Sequence, residues 1–382
     1  FFFKQKTAYE ISTRDWSSDV CSSDLPSQRN RRMSQLHDPS WRGFASDNYA
    51  GVHPAVMEAL AQANGGHQVA YGDDVYTERL RGWVRSAFGE QAEVYPVFNG
   101  TGANVVALQS MMKRWEAVIC ATSAHVLVDE GGAPERTGGF KLHPVATEDG
   151  KLTPALIDEQ AWGFGDQHRA QPAVVTITQS TELGTVYTAE QVRAVTQHCH
   201  AKGMRVHMDG ARISNAAAAL GCSFREFTTD AGVDLLSLGG TKIGAMGAEA
   251  VVVLNPAASE GLPFLRKGGM QLASKMRFVS AQLLALFEGD VWQQNAVRAN
   301  AMAARLRDAV AAIPGVHITR NVDANAVFAV LPAEVTARLQ QHFRFYTWNE
   351  MTGEVRWMAS WDTTEEDIDA FAAAVEIGRA HV

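Results

Sequence analysis

The strongest constraint on how this chain can fold is a periodicity that switches back and forth along it. From about Ala92 onward, short apolar runs alternate with segments whose apolar residues recur at helical spacing. Residues 93–98, 117–121, 173–178, 205–209, 235–237 and 248–254 read as strands. Residues 103–115, 189–202 and 211–220 read as helices, with Gly203 where a helix C-cap glycine belongs. This alternation builds βαβ units, hence a doubly wound α/β architecture on a mainly parallel sheet. In such sheets a ligand sits beyond the carboxyl ends of the strands, so the residues that follow each strand carry the functional information. Farther on, a helical stretch at 290–313, strands at 316–319, 327–331 and 355–359, and a helix near 334–341 predict a smaller α+β domain.

With 382 residues, 46% of them hydrophobic and 20% charged, the chain can bury one large core and a smaller one. The net charge of -8 leaves no basic surplus for phosphate backbones, so no nucleic-acid partner is expected. No apolar run is long enough to span a bilayer and no membrane association is expected. The first residues lack the basic, apolar and small-residue order of a signal peptide, so the expected location is cytoplasmic.

The two ends read differently from the rest. Asp19 to Asp24 can be spelled GAC GTG TGC TCT TCC GAT, and its reverse complement, ATC GGA AGA GCA CAC GTC, encodes Ile377 to Val382. Complementary ends of this kind point to a shared adapter. The expected organisation is therefore non-native read-through at 1–32 and 377–382, a large domain at 33–288 and a small one at 289–376, with Met33 as the natural start. Cys120, Cys199 and Cys222 then remain, an odd number without C-x-x-C spacing, which reads as reduced thiols.

The most informative residues are Val206-His207-Met208-Asp209-Gly210-Ala211-Arg212 and Ser237-Leu238-Gly239-Gly240-Thr241-Lys242. Asp209 ends one strand and Lys242 lies a few residues past the next, so both face one crevice. Pyridoxal 5′-phosphate (PLP) needs this pair: a carboxylate that keeps the pyridine nitrogen protonated and an amine that forms an imine. Singly, Asp209 could cap a helix and Lys242 could be a solvated loop lysine; the pair at corresponding strand ends favours chemistry. Phe98-Asn99-Gly100-Thr101-Gly102 joins a strand to a helix and offers backbone N–H groups to a phosphate, although it lacks the third glycine of a dinucleotide fingerprint. Thr241 could add a hydroxyl to that phosphate. His125 follows a strand and could lie against the cofactor ring, and His168 could reach a substrate hydroxyl, though a surface histidine fits it equally. His198-Cys199-His200 diverge on a helix, so no metal site is expected.

As a set these residues resemble the threonine aldolase and β-eliminating lyase family, within the PLP-dependent aspartate aminotransferase fold type. The resemblance runs from about Phe44 to Trp361 and includes Ala45-Ser46-Asp47-Asn48-Tyr49, Tyr71-Gly72-Asp73-Asp74, Asn99 to Asn104, His125, His207 to Arg212, Gly239 to Lys242 and Arg266 to Met270. It implies a mainly parallel seven-stranded sheet with a smaller C-terminal α+β domain. It implies that Lys242 carries the cofactor, Asp209 meets its ring nitrogen, Gly100 and Thr101 hold phosphate, and His125 stacks on the ring. It further implies that Ser46, Arg212 and Arg356 grip the substrate carboxylate, with Arg212 also counted in the cofactor site. The expected reaction is retro-aldol cleavage of threonine, allo-threonine or a related β-hydroxy amino acid to glycine and an aldehyde. His168, or a water held by His125, is the expected base. A homodimer or homotetramer is also implied. Two other readings stay open: a β-eliminating lyase or transaminase of the same fold, and a non-catalytic nucleotide-binding α/β protein.

Overall fold

The computed structural model describes residues 36–380. The read-through expected at 1–32 and the last two residues of that expected at 377–382 lie outside the described residues. Leu36 to Trp41 falls in a separate unit and makes a turn in which Trp41 N–H donates to the Asp38 carbonyl. Residues 42–380 lie in one compact unit.

Seven strands form the main sheet: β1 (Glu93–Val97), β2 (Glu116–Ala121), β3 (Lys141–Val145), β4 (Gln171–Thr178), β5 (Arg205–Gly210), β6 (Leu235–Gly239) and β7 (Glu249–Val253). Their order is β1-β7-β6-β5-β4-β2-β3. The central pairings are parallel, and β7 alone runs against its neighbours β6 and β1. The carboxyl ends of β1, β2, β4, β5 and β6 therefore meet at one edge, together with the amino end of β7. Helices cover the sheet, so its strands are apolar on both faces, as parallel sheets require.

Local sequence explains where the helices begin. Asn99 caps Gly100–Ser110, three residues earlier than its apolar spacing predicts, by accepting the Gly102 N–H. Thr188 and Gln191 close a capping box on Ala189–Ala201, and Gly203 follows that helix with a φ of 75° that favours glycine. His198 and His200 on this helix pair with different carboxylates, Asp158 and Asp234.

A second sheet, β8 (His317–Ile318), β9 (Ala326–Val330), β10 (Tyr346–Asn349) and β11 (Glu354–Met358), is antiparallel in the order β10-β11-β9-β8. With the helices Val291–Ala311, Ala333–His342 and Glu365–Ala380 it encloses its own aromatic core around Trp357 and Phe371. Phe44 joins that core, its ring 4.6 Å from Phe371, while its backbone bonds Arg344 and Met358. This anchorage places the next residues, Ser46 and Asp47, against the main sheet's ligand edge.

Candidate active site

Asp209 stands at the end of β5, aligned with Thr178 on β4 and Ser237 on β6. Its buried carboxylate accepts the Ala211 N–H at 3.0 Å and the Asn104 amide at 2.9 Å. Burial alone would raise its pKa, but the nearby charges of His125 and Lys242 and these two hydrogen bonds hold it below the ordinary carboxylate value. Lys242 sits in the short turn Thr241–Ile243 after β6. Burial pushes its pKa below the ordinary lysine value and repulsion from Arg212 adds to this, while Asp47, Asp209 and Glu249 oppose. A partly desolvated amine of this kind is a nucleophile in the making.

From Asp209 a polar chain runs to His125. Asn104 donates to Asp209 and also to Glu130 at 2.8 Å, and Glu130 accepts from His125 Nδ1 at 3.0 Å. The His125 backbone N–H donates to Glu182 at 2.9 Å, whose carboxylate also accepts the Thr178 hydroxyl. The bond to Glu130 raises the His125 pKa against the opposing effect of burial, and with Nδ1 so engaged the Nε2 atom is left for other work.

The turn after β1 is shaped by glycine and by Gln271. A Cβ on Gly102 would fall 2.2 Å from the Gln271 amide carbon, and that amide oxygen accepts the Phe98 N–H at 3.0 Å. Gly100 has open space around it. The N–H groups of Gly100 and Thr101 open the helix and have no intrahelical partner, which suits them to an anion.

Arg212 and Asp47 form a buried two-point ion pair at 2.7 and 3.0 Å, and Asn325 donates to the same carboxylate at 3.1 Å. Ser46 is the N-cap of the short helix carrying Asp47, its hydroxyl accepting the Asn48 N–H. Arg356 on β11 reaches the Ala45 carbonyl at 3.4 Å and packs 4.5 Å from the Trp348 ring. Burial, and then Arg212, lower its pKa to about 10, so two guanidinium groups share this corner.

The family model for beta-eliminating lyases matches residues 43–334. The chain belongs to the beta-eliminating lyase family. It is 44% identical to the low specificity L-threonine aldolase of a Pseudomonas species, over 87% of this chain and 96% of that one. It is likewise 44% identical to the low specificity L-threonine aldolase of Pseudomonas aeruginosa, over 87% of this chain and 97% of that one. The solved Leishmania major threonine aldolase superposes with a TM-score of 0.83 at 26% identity, covering 87% of this chain and 98% of that one.

The structure brings together Ser46, Gly100, Thr101, His125, Asp209, Arg212, Thr241, Lys242 and Arg356, at the carboxyl-end edge of the main sheet or the corner of the second sheet beside it. The Thr241 hydroxyl accepts the Ala248 N–H at 3.3 Å and can still donate. His168 does not join them. It is exposed in the loop before Gln171, the first residue of β4, and so lies at the amino end of a strand whose eight residues span about 25 Å. The expectation that His168 reaches the substrate hydroxyl is corrected for the single chain. Glu130, Glu182 and Glu249, and Asp47 and Asn104 within the quoted motifs, carry no role legible in the sequence, yet all are buried at this edge. Asn104 has only a positional signal: it stands one helical turn after Gly100, on the turn that faces the strand ends.

Proposed function

We propose that this chain is a PLP-dependent lyase that cleaves threonine and related β-hydroxy amino acids to glycine and an aldehyde. The observation that carries the reading is the placement of Asp209 near the end of β5 and Lys242 just past the end of the neighbouring β6, close enough for their charges to interact. The donor set fits the cofactor. Asn104 Oδ1, Glu130 Oε2, Glu182 Oε2 and Ser180 Oγ are buried without a partner, and the Lys242 amine makes no hydrogen bond or ion pair with another described residue. Lys242 would hold the cofactor covalently, with Asp209 toward its ring nitrogen and His125 beside the ring. Gly100, Thr101 and Thr241 would hold its phosphate.

When bound, PLP supplies a ring that accepts the electron pair of the broken Cα–Cβ bond. The chain's own residues do the rest. Arg212, steadied by Asp47, and Arg356 would bind the substrate carboxylate together with Ser46 and so fix the orientation of the bonds at Cα. His125, polarised by Glu130, takes the β-hydroxyl proton directly or through a water as the aldehyde departs. That proton, returned by His125 or its water, is the one that glycine needs at Cα, so the cleavage balances with no further reactant.

We also propose that the enzyme works as a homo-oligomer. Tyr71, Phe98, Met246 and Met270 are large, exposed and close to the phosphate turn, and Tyr71 and Met270 hold left-handed φ angles near 60°. Such strain and apolar exposure fit a surface completed by a second copy. No helix among the described residues is long and apolar enough to cross a membrane.

The test is to supply the protein with PLP, add L-threonine or L-allo-threonine, and measure acetaldehyde and glycine. Equal amounts of both are expected, with Lys242→Ala inactive. A PLP-loaded protein that releases aldehyde from neither substrate refutes the aldolase reading, and release of ammonia with a 2-oxo acid would replace it by β-elimination.

A further inference from the structure

Glu249 is a buried carboxylate that the proposed chemistry does not use. It begins β7, aligned with Gly239 on β6 and with Val97 on β1. Its carboxylate extends past the end of β6 to the turn bearing Lys242. One oxygen accepts the Gly240 N–H at 3.1 Å and the other the Thr241 N–H at 3.2 Å. These two amides immediately precede Lys242.

The rest of the turn is tied as closely. Ala248 N–H donates to the Thr241 hydroxyl, Ala245 N–H to the Gly240 carbonyl, and Asn295 to the Ile243 carbonyl at 2.9 Å. A Cβ on Gly240 would lie 2.5 Å from the Ala248 carbonyl oxygen. The backbone around Lys242 is thus held at several points, and among the described residues Glu249 is the side chain that bonds both amides before the lysine. Two consecutive donors need two acceptor atoms. A carboxylate provides them, whereas a glutamine would turn its NH2 toward one of the donors. Burial carries a cost for this group, pushing its pKa up to about 7.

We propose that Glu249 is the positioning residue for Lys242, clamping the Gly240–Thr241 backbone so that the amine meets the coenzyme and the substrate at a fixed place. The inference rests on Lys242 being the coenzyme-bearing amine. Glu249 bonds the turn and not the amine itself, and its charge adds a pull toward the protonated form of Lys242.

The experiment compares wild type with Glu249→Gln. Apoprotein is mixed with PLP, uptake is followed by the absorbance of the bound coenzyme, and the labelled position is identified by borohydride reduction and peptide mapping. Steady-state constants are then measured on the loaded enzymes. Expected in E249Q are an uptake at Lys242 slower by about tenfold or more and a kcat lower by a similar factor, with KM for the amino acid within about threefold, since the carboxylate grip is intact. A purely structural glutamate predicts a lower melting temperature with uptake rate and kcat within about twofold of wild type, and that outcome overturns the inference. Should E249Q not fold, Glu249→Asp keeps the charge, shortens the reach and is judged by the same criteria. Wild type that fails to fix PLP on Lys242 overturns the site reading and this inference with it, whereas unchanged uptake in the variant overturns this inference alone.

Discussion

Gly239 closes directly onto the backbone of Ala211: a Cβ at position 239 would stand 2.6 Å from the Ala211 carbonyl oxygen and 2.8 Å from its Cα. The two residues belong to the two halves of the proposed chemistry. Ala211 N–H bonds the Asp209 carboxylate, and Gly239 lies three residues before Lys242. The acid and the amine are thus held on two turns in backbone contact, so neither can shift without the other.

Gly239→Ala is expected to separate them. The obstructing atoms are backbone, which cannot rotate away, so a cost of about 2–3 kcal/mol in stability is expected, toward the upper end of overpacking effects. Coenzyme affinity should fall with it. Thermal unfolding and equilibrium PLP binding measure both, and a variant of wild-type stability and affinity would show that the turns are not coupled.

The His125–Glu130 bond makes a pH prediction. The His125 pKa is raised above 6.5, chiefly by the bond to Glu130, against burial and helped by Asp209. A base must be neutral, so kcat/KM should fall as pH drops through that raised value. Glu130→Gln removes the carboxylate's charge and should move this acid limb to lower pH, with a loss of about tenfold or more at neutral pH as the ring loses its orientation. An acid limb at the same pH in E130Q would assign it to another group.

Much of this arrangement is legible in the sequence. The alternation of strand and helix spacing located six of the seven main strands, and the strand-end rule picked out Asp209 and Lys242. β3 escaped because Lys141-Leu142-His143-Pro144-Val145 is short, carries a proline and sits at the sheet edge, where neither alternation nor a continuous apolar run is needed. β10 escaped for the same reason: it is the edge strand of the second sheet and largely exposed. Glu130, Glu182 and Glu249 could not be found by spacing, because each meets its partner only across the tertiary fold. His168 is different. The rule that selected Asp209 also excludes it, since it precedes its strand.

Asp47 and Arg212 give a stability prediction. Both side chains are nearly inaccessible, at 1% and 11% exposure, and Asp47→Ala would leave a guanidinium buried without its partner. A loss of about 3–5 kcal/mol is expected at neutral pH. Burial would raise the Asp47 pKa, but Arg212 and Lys242 keep it below its ordinary 3.8. A depressed carboxylate contributes stability above its unfolded pKa and loses it as pH falls through the folded value. The gap between wild type and D47A should therefore be full at pH 7 and close below about pH 4. Melting temperatures across that range check it, and a constant gap would mean that the ion pair is not its source.

The two histidines expected to serve the substrate hydroxyl are separated by a paired test. His125 is bound to Glu130 and Glu182 at the ligand edge, whereas His168 makes only a backbone bond to Asp166 in an exposed loop at the far end of β4. Removing a positioned acid–base group costs about 10²–10⁴ in rate, while a surface change leaves both rate and stability nearly unaltered. His125→Ala is therefore expected to lose at least about a hundredfold in kcat, and His168→Ala to stay within about twofold of wild type. The comparison also tests the assembly, because a second copy could bring its own loop to this crevice. A large loss in H168A would place that histidine in a neighbour's site, and mixing H168A with Lys242→Ala would then restore part of the activity by pairing an intact loop with an intact lysine.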